Sequence, residues 1–75
     1  MLTYLTVTFS SDGERPSHVM EALHNLGFEL TTGSHDCVYR WDERATIEDA
    51  LYLADKVHAT LKGMGVLFKL ETLND

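Results

Sequence analysis

Several of the usual carriers of chemistry are scarce or missing in this chain of 75 residues. It has a single cysteine, Cys37, so no internal disulfide can form and no Cys-x-x-Cys pair exists for zinc or dithiol redox work, which fits a reducing compartment. Its apolar runs are a few residues long, far below the roughly twenty that span a bilayer, and Met1-Leu2-Thr3 places no basic stretch before a signal core. The expectation is a cytoplasmic protein without a membrane partner. Positive charge is also short. Six Lys plus Arg face twelve Asp plus Glu, a net charge of −6, and a field of that sign repels phosphate backbones rather than releasing their counterions. General nucleic-acid binding is disfavoured.

What remains is ordinary for a folded domain. The hydrophobic fraction is 44% and the charged fraction 24%, too apolar and too evenly mixed for a disordered chain. A chain of this length makes one domain, residues 1–75, with a thin core, because it removes only about three-fifths of its unfolded surface from water.

The clearest signal is a strand–helix–strand order that occurs twice. Thr3 to Phe9 alternates, with Leu5, Val7 and Phe9 on one face and Tyr4, Thr6 and Thr8 on the other, as in a sheet covered on one side. A polar turn leads to Pro16, which fits the first turn of a helix because its missing N–H has no partner to lose there. Val19, Ala22, Leu23 and Leu26 then share an arc, and Gly27 follows as a C′ residue. Phe28–Thr32 and His35–Trp41 flank Gly33-Ser34 and predict an antiparallel hairpin. A second helix opens at Thr46 with a Thr-x-x-Asp cap and ends before Gly63. Its buried arc is expected to hold Ile47, Ala50, Leu51, Ala54, Val57, His58 and Leu61, with Tyr52 and Leu53 off it. A last strand runs from Val66 to Leu73.

The order β-α-β-β-α-β, with right-handed crossovers, predicts an α+β fold: a ferredoxin-like two-layer sandwich with a four-stranded antiparallel sheet and both helices on one face. Strands one and three are then central. The other face collects Tyr4, Thr6, Thr8, Glu29, Thr31, Leu67, Lys69 and Glu71. Strand three decides its character. Burying Cys37 and Tyr39 sends Val38 and Arg40 to the open face and leaves Trp41 near the strand end, where its indole N–H can reach water.

Three places for function follow. The loop Ser10 to Ser17 joins a strand to a helix N-terminus, where free N–H groups favour an anion, so Ser11, Gly13, Arg15 and Ser17 form a candidate site for a small anionic metabolite beside a dimer interface. The open sheet offers Tyr4, Val38, Arg40 and Leu67 as a surface for a protein partner. An uncovered face of this kind, or an unpaired edge strand, also invites a second copy, so a homodimer is expected. The third place is enzymatic. His58, in the middle of the apolar arc, or His35 with Cys37 on one strand face, are the residues a small enzyme would use, although a cysteine in an apolar strand is usually a packing residue. No spacing completes a metal site, and no motif calls for a cofactor. The expectation is a non-catalytic module.

The stretch Asp12-Gly13-Glu14-Arg15-Pro16-Ser17-His18-Val19-Met20-Glu21-Ala22-Leu23-His24-Asn25-Leu26-Gly27-Phe28-Glu29-Leu30 resembles the opening of ACT domains, small regulatory modules of the ferredoxin-like fold. Those carry Asp-x-Pro-Gly-x-Leu, a leucine-rich helix and Gly-Ile-Asn-Ile at the next strand. The resemblance covers about a quarter of the chain and implies a ligand at the first strand-to-helix loop. Ser17 stands where that family has a glycine, and Glu29 where it has an asparagine. A heavy-metal-binding module would need Met-x-Cys-x-x-Cys in the same loop, an acylphosphatase-like enzyme a glycine-rich cradle, and an RNA-recognition module aromatic motifs on the central strands. None of these is present.

Overall fold

Alternation in the first strand and helical periodicity after Pro16 and Thr46 translate directly into backbone. A computed structural model describes residues 1–74 as β1 (Leu2–Thr8), α1 (Pro16–Asn25), β2 (Glu29–Leu30), β3 (Cys37–Arg40), α2 (Ile47–Leu61) and β4 (Leu67–Leu73). The sheet is antiparallel throughout, with strand order β2-β3-β1-β4, so β1 and β3 are central. Both helices pack on the same side: Val19 and Leu23 of α1 and Leu53, Val57 and Leu61 of α2 join Leu5, Val7, Phe28 and Cys37 in one cluster. The architecture is therefore α+β in two layers.

Local chemistry sets the element ends. Pro16 opens α1, and Gly27, at φ 109°, follows its C-cap Leu26 and donates its N–H to the His24 carbonyl. That conformation suits glycine. A Cβ there would also stand 2.8 Å from the Tyr39 ring, which packs edge-on to Phe28 at 5.6 Å. At α2 the capping box is complete: Thr46 Oγ1 accepts from the Asp49 N–H and Asp49 Oδ2 accepts from the Thr46 N–H.

The strands are shorter than their apolar spans. β2 holds only Glu29 and Leu30 instead of Phe28–Thr32, and β3 begins at Cys37 instead of His35. Phe28 is buried, but Leu30, paired with Cys37 on the helix-side face, is 67% exposed because it lies on the edge strand beyond the cover of the helices. Phe9, expected in the core, follows the end of β1 and is exposed.

The register of β3 decides which side chains meet the helices. Cys37 is in the core and Tyr39 packs against it, while Val38 pairs with Tyr4 on the opposite face. Trp41 differs from expectation: its indole N–H donates to Thr3 Oγ1 at 2.8 Å, a buried hydroxyl, rather than to water.

The buried arc of α2 is also rotated from the one the periodicity suggested. Ala50, Leu53, Val57 and Leu61 are buried, whereas Ile47, Leu51, Tyr52 and His58 are exposed. The reason is positional. The side of α2 bearing Ile47, Leu51 and Ala54 lines a groove with Leu70 and Thr72 of β4, and β4 is the edge of the sheet, with no further strand among the described residues to complete the cover. His58 is thus a surface residue and needs no buried partner.

Candidate functional site

The face away from the helices is organised by register. Glu29, Val38, Tyr4 and Glu71 fall in one row across all four strands. Thr6 opposite Lys69 and Thr8 opposite Leu67 extend the face toward one end, and Leu2 between Arg40 and Leu73 toward the other. Within the row, Val38 is only 4% exposed although α1 and α2 both pack on the other side. Its neighbours enclose it. Arg40, two residues along the same face, reaches Glu29 with Nε–Oε2 at 3.3 Å, and Tyr4 stands directly opposite on β1.

His35 completes the cluster. Its ring stacks on Tyr4 with centroids 4.5 Å apart, and its Nε2 lies 3.3 Å from Glu71 Oε1. This corrects the sequence expectation that His35 and Cys37 share a strand face. Asp36 breaks the alternation between them: its N–H donates to the Leu5 carbonyl, its carbonyl accepts from Thr31, and its carboxylate accepts the Val7 N–H at 2.8 Å. The carboxylate takes the place on β1 that a longer β3 would have filled. His35 emerges on the open sheet while Cys37 enters the core.

Burial first, and the neighbouring Asp36 carboxylate second, push the Cys37 thiol from its ordinary value of 9.0 up to about 11. The protein therefore holds it as a neutral thiol at neutral pH, the opposite of what an activated nucleophile needs. With His35 on the other face of the sheet and His58 on the solvent side of α2, the residues proposed for catalysis are not brought together.

Ser11, Arg15 and Ser17 are exposed and Gly13 is half-buried. Arg15 is the N-cap of α1 and makes no side-chain cap bond, while Glu14 Oε1 accepts the Arg15 N–H at 3.3 Å. Gly13 serves another purpose. A Cβ on it would stand 2.5 Å from the Gly65 carbonyl oxygen, and the adjacent Glu14 N–H donates to the Met64 carbonyl at 2.7 Å. The loop is fastened to the α2–β4 turn through this glycine contact.

Of the four residues expected on the interaction face, Tyr4, Val38 and Arg40 are contiguous. Leu67 is on the same face but four residues along β4 from Glu71, about 13 Å away at the usual rise of a strand. Sequence reasoning put Glu29 and Glu71 on this face without selecting them, and misplaced His35. The signal for all three was the alternation across strands; for His35 it also required seeing Asp36 as a break. Comparison with protein-family models, curated proteins and solved structures returned no match.

Proposed function

We propose that this chain is a non-catalytic interaction module of the ferredoxin-like class, working as a homodimer in the cytoplasm, that recognises a protein partner through its uncovered sheet. The strand order β2-β3-β1-β4 and the packing of both helices on one side support the fold assignment. The observation that carries the function is the row Glu29–Val38–Tyr4–Glu71 with His35 stacked on it. It supplies a shielded aliphatic centre, an aromatic pair and charges of both signs on an open sheet face, a composition suited to a polypeptide surface rather than to an enclosed small molecule.

The alternative, a small anionic metabolite at Ser11, Gly13, Arg15 and Ser17 after the manner of ACT domains, has less behind it. Gly13 is occupied by its contact with Gly65, and the Arg15 N–H is taken by Glu14 Oε1. A photo-crosslinking residue at Tyr4, compared with one at Glu21 on the solvent side of α1, tests the choice in cells. The sheet reading expects a defined protein adduct from position 4 alone, lost when Arg40→Glu is added. Adducts from position 21 only, or adducts indifferent to Arg40→Glu, would remove it.

A further inference from the structure

The long free edge of the sheet has its own chemistry. On β1, the Leu5 carbonyl accepts from Asp36 and the Met1 carbonyl from Trp41, so the odd-numbered residues turn their backbone groups toward β3. Even-numbered Leu2, Tyr4, Thr6 and Thr8 therefore bond to β4, through their register partners Leu73, Glu71, Lys69 and Leu67. What remains points outward. Among the described residues, the N–H and C=O groups of Phe68, Leu70 and Thr72 have no strand beside them, because β4 is an edge. A seven-residue edge with leucines at both ends and in its centre is one that proteins normally blunt or pair.

We infer that β4 pairs antiparallel with β4 of a second copy, about a two-fold axis at Leu70. This deepens the homodimer reading above and rests on it. The sequence Leu67-Phe68-Lys69-Leu70-Glu71-Thr72-Leu73 is complementary to itself about that centre. Lys69 falls opposite the second copy's Glu71, and Glu71 opposite its Lys69. Leu67 meets Leu73, Phe68 meets Thr72, and Leu70 meets its own equivalent. Phe68, Leu70 and Thr72 become the hydrogen-bonded positions, so every outward N–H and C=O among them is used on both strands. The Lys–Glu pairs occupy the non-hydrogen-bonded positions, where side chains approach more closely.

Other registers do worse. Centring on Lys69 or on Glu71 sets like charges directly opposite each other and leaves outward groups of the strand unpaired, and a shift by a single residue turns the faces over. The helix side agrees with the choice. Ile47 and Leu51, 64% and 61% exposed, border the groove that contains Leu70 and Thr72, so the same pairing brings two apolar stripes together over the Leu70 seam. Because the axis uses the long edge of both copies and leaves only the two-residue β2 at each outer edge, the assembly closes at two chains. The four-stranded sheet becomes one of eight strands.

Sedimentation equilibrium on the full chain tests the pairing, with circular dichroism melts to establish that each variant is folded. The wild type is expected to be a dimer, and Lys69→Glu or Glu71→Lys alone, each setting like charges opposite at two symmetric positions, to weaken it by about tenfold or more. Lys69→Glu combined with Glu71→Lys is expected to restore it. Thr72→Pro removes an outward N–H that β1 does not use and should leave a monomer, whereas Thr72→Val, which loses the same hydroxyl bonded to Thr3 but keeps the N–H, should remain a dimer. Leu51→Glu, at an exposed position, should weaken the dimer while leaving the monomer folded, so that its melting temperature loses the concentration dependence the wild type shows. A dimer unmoved by these changes would overturn this interface while leaving the homodimer reading in place; a wild-type chain that stays monomeric at millimolar concentration would overturn both.

Discussion

Trp41 donates its indole N–H to Thr3 Oγ1 at 2.8 Å, and that hydroxyl lies 2.8 Å from Thr72 Oγ1. Thr3 accepts from the indole, so its own proton is free for Thr72, and the relay links the end of β3 to β4 across β1. Thr3 is 2% exposed, which makes an unpaired group there expensive. Thr3→Val preserves the shape and removes the acceptor. It should cost about 1–3 kcal/mol in urea unfolding, with the slope of the transition unchanged. Adding Trp41→Phe to Thr3→Val should cost less than the sum of the two, because the orphaned donor is then gone. Additive losses would show that the bond contributes nothing beyond packing.

Gly13→Ala tests the fastening of the first loop. Its φ is not positive, so alanine would ordinarily stabilise by about 0.4–1 kcal/mol through the unfolded chain. The approach of 2.5 Å to the Gly65 carbonyl oxygen reverses the sign. A lower melting temperature is expected, by about 4–8 °C for each kcal/mol lost. A raised melting temperature would mean that the loop and the α2–β4 turn separate without cost.

The Arg40–Glu29 pair is exposed on both sides, and such pairs contribute about 0–1 kcal/mol. Arg40→Ala, Glu29→Ala and the double variant should therefore melt within a few degrees of the parent. Their effect is expected on partner capture at the sheet face, where Arg40→Ala reduces crosslinking from position 4. A large loss of stability would reassign the pair to holding β2 in place.

How far the residues foretold the fold depends on how many competing patterns each segment carried. Leu5 and Val7 admitted one reading, and so did Thr46 with Asp49. The register of β3 was legible because Cys37 and Tyr39 fill a core better than Val38 and Arg40. Helix α2 carried two adjacent apolar rows, and periodicity alone does not separate them. The row Leu53–Val57–Leu61 contains no polar member, while Leu51 and Ala54 share theirs with His58; that difference marked the core side. At the candidate site, the open-face strand residues were visible as an alternating set. The His35–Tyr4–Glu71 cluster was not, because it depends on Asp36 ending the alternation with its own side chain.

That same Asp36 has two separable effects. Its carboxylate accepts the Val7 N–H at 2.8 Å, and its charge helps to raise the Cys37 thiol, after burial, to about 11. Asp36→Ala removes the acceptor and should cost about 1–3 kcal/mol, the usual loss when a backbone N–H is left unpaired. Asp36→Asn retains an oxygen for Val7 and removes the charge. It should keep most of the stability while alkylation of Cys37 begins at lower pH, though still above the ordinary thiol range because burial is the larger cause. The linkage has a definite sign. The unfolded chain releases the thiol proton near 9.0 and the folded chain near 11, so folding stability conferred by the neutral thiol is fully present below 9 and falls as pH rises through that window. Urea midpoints of the wild type minus those of Cys37→Ala, followed from neutral pH to 11, should therefore decline; a flat difference would show that the thiol ionises as readily in the folded chain as in the unfolded one.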